Sequence, residues 1–105
     1  MKGGRMQALA LAAALRLEEH ARDSDDYAWR ITVLAAGTDG RDGPSGAAGA
    51  MVNETSWATS ARSGGDPARS LRRCDAFGAL SAADAILPAR ETGTNVMDIV
   101  VAIRR

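Results

Sequence analysis

Three short stretches of this 105-residue chain carry residues able to do chemistry. The most unusual is AAGTDGRDGPSGAAGA (35–50), which follows the apolar run Ile31–Leu34 and holds two Asp-Gly pairs, Asp39–Gly40 and Asp42–Gly43. Carboxylate oxygens suit a hard cation such as Mg²⁺, and glycines let the backbone come close to a ligand. Asp-Gly is also an ordinary turn pair, and for the stretch by itself a plain turn is the simpler explanation. The second stretch, KGGRMQ (2–7), puts Gly3 and Gly4 at the start of a helical pattern. Unpaired N–H groups there would attract an anion, and the Arg5 guanidinium could grip one with two parallel bonds. A helix cap beside a solvated arginine explains the same residues. The third, ETGTNVMD (91–98), offers donors from Gly93, Thr94 and Asn95, with Asp98 placed to orient a neighbour. Its simpler explanation is a loop between strands, with Asn95 in a left-handed turn.

Other chemistries are excluded by residue type. One cysteine (Cys74) and one histidine (His20) allow neither an internal disulfide, nor a zinc site, nor a Ser-His-Asp or Cys-His arrangement. No Walker phosphate loop occurs, and the Gly/Asp stretch lacks the terminal glutamate of an EF-hand. Cys74 is expected to be a small buried hydrophobe and His20 a surface residue. Asn53-Glu54-Thr55 matches a glycosylation acceptor, which matters only in a secreted chain. Thirteen basic and thirteen acidic side chains cancel, so neither nucleic acid nor an anionic membrane is an expected partner. A lone thiol suits a reducing cytoplasm.

The elements that must position these stretches follow from pattern. Residues 7–22 read as an amphipathic helix with Ala8, Leu11, Ala12 and Leu15 on one face and a Glu18–Arg22 pair. The basic start and apolar run also imitate a signal peptide, but the run is too short to span a membrane. WRITVLAA (29–36) reads as a buried parallel strand. Residues 47–52 are ambiguous. Residues 54–62 read as a helix, Asp66-Pro67 starts another, and a short one follows Asp75. Residues 85–88 and 97–103 read as strands. Strands alternating with helices predict a small layered α/β domain with a partly parallel sheet. A core so rich in alanine buries little area per residue, so stability is expected to need a partner surface, a homo-oligomer being one way to supply it.

Taken in order, GGRMQALALAAAL, VLAAGTDGRDGPSGAAGA and TGTNVMDIVV resemble the MOFRL domain, the C-terminal domain of ATP-dependent glycerate 2-kinases, some of which are called hydroxypyruvate reductase. The likeness covers nearly the whole chain and makes the first helix a domain element, not a signal. It implies one MOFRL-like domain over residues 1–105, without the larger nucleotide-binding domain or the strand that leads into the first motif. That strand is expected beside residues 29–36. It further implies a part in transferring the ATP γ-phosphoryl group to glycerate in a cleft between two domains, with the chain inactive alone. Arg5, Asp39 and Asp42 would be catalytic, and Asp39 and Asp42 would hold Mg²⁺. Gly3, Gly4, Thr94 and Asn95 would bind substrate or phosphate. Met6, Ala8, Gly46 and Cys74-Asp75-Ala76 differ from the usual motifs, each by loss of a polar group. A degenerate, non-catalytic anion-binding or interaction domain is therefore the alternative.

Overall fold

The computed structural model describes residues 4–23, 30–38, 40, 42, 46–89 and 98–105. Helix α1 (Arg5–Arg22) is followed by strands β1 (Ile31–Gly37) and β2 (Ala47–Val52). Three short helices come next, α2 (Ser56–Arg62), α3 (Pro67–Arg72) and α4 (Phe77–Ala82), and then strands β3 (Ile86–Pro88) and β4 (Asp98–Arg104). The four strands form one sheet in the order β3-β2-β1-β4, and every pairing is antiparallel.

The expectation of a partly parallel sheet is therefore wrong. β1 and β2 are joined by only residues 38–46, too short for the crossover that parallel neighbours need, so the chain turns straight back. The unbroken apolar run of β1 misled because its two faces are apolar for different reasons. Val33 and Ala35 face the helices, opposite Val52 and Ala50 of β2. Leu34 points to the other face, opposite Met51 and Val101. Both edges of β1 are occupied, so no further strand can lie beside it.

α1 lies across β1 and β2. Its buried residues are Met6, Gln7, Ala10, Leu11, Ala14 and Leu17. The buried stripe is thus rotated from the expected one, because alanine and leucine occur all around this helix and hydrophobicity does not fix its rotation. Glu18 and Arg22 do pair, at 3.4 Å. Ala76, Ala79, Leu80 and Ala85 complete the cluster. Small side chains let the layers approach closely. A Cβ on Gly49 would lie 2.0 Å from the Ala35 carbonyl oxygen, so only glycine fits between these strands.

The three short helices end alike. Gly65 N–H donates to the Ser60 carbonyl after α2, Asp75 N–H to Ser70 after α3, and Ala85 N–H to Leu80 after α4. Each is the long bond of a Schellman motif, which needs a left-handed residue just before the donor. Those residues are Gly64 (φ 92°), Cys74 (φ 52°) and Asp84 (φ 55°). The role corrects the expectation for Cys74: its thiol is exposed because the residue closes a helix. Asp66 caps α3 as expected, accepting from Arg69 N–H at 3.2 Å with Pro67 at the first helical position.

Cys74→Gly and Asp84→Gly should each stabilise the domain by about 1 kcal/mol, because glycine carries no Cβ penalty in the left-handed region, while Gly64→Ala should cost about as much. Urea midpoints at unchanged m-value would show this.

Candidate functional site

Helix α1 starts without a cap of its own. Gly4 sits at the N-cap and has no side chain to satisfy the first N–H groups. The missing acceptor comes from the Gly/Asp stretch. Asp42 Oδ1 accepts from Met6 N–H at 3.1 Å, and Oδ2 accepts from Gln7 N–H at 2.8 Å. Gln7 returns the contact, donating from Nε2 to the Asp42 carbonyl oxygen at 2.9 Å. A carboxylate here also meets the positive end of the helix dipole. Asp42 is 6% exposed and Gln7 fully buried, so these bonds form where an unmatched polar group would be costly.

The surrounding backbone is shaped for this contact. A Cβ on Gly4 would come within 2.2 Å of Asp42 Oδ1, so the carboxylate can reach the helix only past a glycine. Gly40 (φ 83°) closes a turn onto the Gly37 carbonyl, and Asp42 N–H donates to the Ala47 carbonyl at 2.7 Å. The loop is thereby tied to the end of β1, the start of β2 and the start of α1.

Arg5 points away from this buried knot. Its Nε and Nη2 both lie 2.5 Å from Asp98 Oδ2, and its side chain is 82% exposed. Asp98 begins β4 directly opposite Gly37, the last residue of β1. Parts of all three stretches therefore meet at one end of the sheet: Arg5 and Gly4 from the first, Asp42 from the second, Asp98 from the third. Asp98, expected to orient a neighbour, pairs with Arg5. Gly3, Asp39, Thr94 and Asn95 lie outside the described residues. Gln7 was within the quoted motif but was not singled out. Its signal is a lone amide four residues before Leu11 on what proves to be the buried side of α1.

Among the described residues no group of three or more Asp, Glu, His or Cys side chains is placed to hold a metal ion. Each oxygen of Asp42 accepts from a backbone N–H of α1, so the carboxylate serves in this structure as the anchor of the helix start.

This geometry belongs to a known class. The model of the MOFRL family matches residues 1–98, and the chain is a member of that family. Among curated relatives, the D-glycerate 2-kinase of Thermotoga maritima is 39% identical over 101 residues, 96% of this chain and 22% of the relative. The human glycerate kinase is 38% identical, with 92% of this chain and 18% of the relative covered. A solved structure, the glycerate kinase of Thermotoga maritima, superposes with a TM-score of 0.83 at 38% identity, covering 98% of this chain and 23% of that one. The chain thus spans about a fifth of the length of the relatives it matches.

Asp42→Ala removes the acceptor for two N–H groups and should cost about 1–2 kcal/mol of stability, with Asp42→Asn in between. Gly4→Ala should be at least as damaging, since its Cβ displaces the same carboxylate. Equilibrium urea unfolding of the three variants checks the order.

Proposed function

We propose that this domain is the C-terminal part of a glycerate 2-kinase and supplies one wall of its active site. The single observation that carries the reading is the convergence of Arg5, Asp42 and Asp98 at one end of the sheet, set beside kinase relatives several times longer than this chain. In the reading, a larger nucleotide-binding domain faces that end and glycerate lies between the two. ATP provides the phosphoryl group, and the protein resides in the cytoplasm.

The residues divide the work. Asp42 and Gln7 fix the start of α1, so Arg5 leaves it from a set place. Asp98 holds the Arg5 guanidinium by one carboxylate oxygen, and the exposed remainder of its fork can take up the carboxylate or phosphate of an anionic substrate. Phosphoryl transfer depends chiefly on alignment and charge neutralisation, and a fixed arginine supplies both. Asp39, with Asp42 behind it, would hold Mg²⁺, which neutralises phosphate charge when bound. Gly3, Gly4, Thr94 and Asn95 would complete the substrate-binding wall with backbone and side-chain donors.

The alternative, a non-catalytic anion-binding or interaction domain, draws on Met6. It stands where the family motif has asparagine and is 4% exposed in the hydrophobic core, so it serves packing and not polar contact. A coupled assay with ATP, Mg²⁺ and glycerate separates the readings. The purified chain alone should form no phosphoglycerate. Added to the remainder of the Thermotoga maritima kinase, produced without its matching segment, it should restore activity. In that mixture Arg5→Ala should cut kcat/KM by about 10²-fold, the usual effect of losing one charge-stabilising donor. A stable complex of the two parts that forms no product would instead support the non-catalytic domain.

A further inference from the structure

The sheet ends in a strand that the rest of the domain does not cover. β4 has seven residues, all exposed, although most are apolar. It pairs with β1 along one edge, and no described strand lies along the other. α1 packs mainly on β1 and β2, and Val100 on the helix side of β4 is 53% exposed. On the opposite side Ile99, Val101 and Ile103 are 42%, 42% and 61% exposed. A long apolar edge strand of this kind is a template for pairing with another strand.

The direction of its backbone is settled by the register. Arg105 N–H donates to the Arg30 carbonyl at 2.7 Å, and β4 pairs with β1 without a bulge. By the alternation of an antiparallel ladder, Ile99, Val101 and Ile103 bond to β1, whereas Asp98, Val100, Ala102 and Arg104 direct N–H and C=O groups outward. The two ends of this outward set carry opposite charges.

We propose that this domain forms a two-fold dimer in which β4 pairs antiparallel with β4 of a second copy, centred on Val101, to give one continuous eight-stranded sheet. That register uses the full strand. It sets Val100 opposite Ala102 of the second copy, Ile99 opposite Ile103, and Asp98 opposite Arg104, each twice by symmetry. The charge match is specific to this register: a shift of one residue along the strand removes it. Asp98 can take the second cation, because both Arg5 contacts fall on Oδ2 and Oδ1 remains for Arg104 of the other copy. Arg104 makes no ion pair among the described residues. Cross-strand partners share a face, so Asp98 and Arg104 of the second copy meet on the helix side, where Arg5 also lies. The apolar residues on the opposite side merge into one stripe.

The test is a charge exchange on the whole chain, read by sedimentation equilibrium. The wild-type chain should be dimeric at about 100 µM. Arg104→Asp sets like charges opposite at both ends, and so does Asp98→Arg. Each should weaken the dimer by about tenfold or more. An equimolar mixture of the two variants regains both opposite-charge pairs and should form a mixed dimer at wild-type strength. That rescue is a result no general loss of folding could produce, and circular dichroism of each variant would report folding directly. Ala102→Pro, which removes an outward N–H while sparing the β1 ladder, should also give monomers. A wild-type monomer at that concentration would overturn the proposal and leave the edge to a strand of a longer polypeptide. A dimer indifferent to both charge changes, or a mixture with no rescue, would overturn it equally.

Discussion

The carboxylate of Asp42, seated on the first N–H groups of α1, is the contact on which the arrangement of this domain depends. α1 is the only long helix described, and it covers the two central strands, so the place of its first turn sets where the hydrophobic layer begins. A helix that starts on glycine has no acceptor of its own there. Borrowing one from a loop 35 residues and more along the chain converts a local need of the helix into a long-range constraint on the loop. The Gln7 amide closes the loop back onto the helix, so neither can shift without exposing buried polar groups of the other. The glycines follow as a consequence. Gly4 is the gap through which the carboxylate passes, and Gly40 turns the chain toward it.

The same contact explains why the exposed chemistry is rigidly placed. Arg5 is the first residue of the helix, one step from the knot, and its partner Asp98 lies across from the end of the strand that leads into the loop. The ion pair between them is largely exposed and contributes little to stability. Its value is positional. It keeps a guanidinium at the end of the sheet from which the Gly/Asp loop emerges. Away from that end the domain is less self-sufficient. Glu54 and Arg105 tie the far end of β4 to the turn after β2, yet the strand between these ties is bare on both faces. A small alanine-rich core packs against one face of the sheet, and on the other Met51, Ile99, Val101 and Ile103 are exposed.

Much of this was legible in the sequence. Every described helix and strand had been expected within a few residues, apart from β2, whose AAGAMV pattern fits strand or helix equally. Asp66-Pro67 announced its cap because the signal is local. The sense of the sheet was not legible, since a continuous apolar run records burial but not direction, and the short loop after β1 should have weighed more than the run. The rotation of α1 was hidden by alanine, which is acceptable on any face. Cys74 misled because its burial was inferred from residue type, while its exposure follows from a left-handed backbone position that nothing in its side chain reveals. Asp42 was expected to turn its oxygens to Mg²⁺, and in the structure they accept from the start of α1. That their first partners are backbone N–H groups of α1 could be known only once the loop and the helix were brought together in space.

The pinned start of α1 is tested most directly by amide hydrogen exchange at Met6 and Gln7. These are the second and third residues of a helix, where N–H groups normally exchange freely. If the Asp42 carboxylate holds them, both should exchange slowly in the wild-type chain. In Asp42→Ala both should become fast, while Val33 and Ala35 in the centre of the sheet stay protected. Rapid exchange at Met6 and Gln7 in the wild-type protein, at the rate of a frayed helix end, would contradict the arrangement on which the rest of the structure depends.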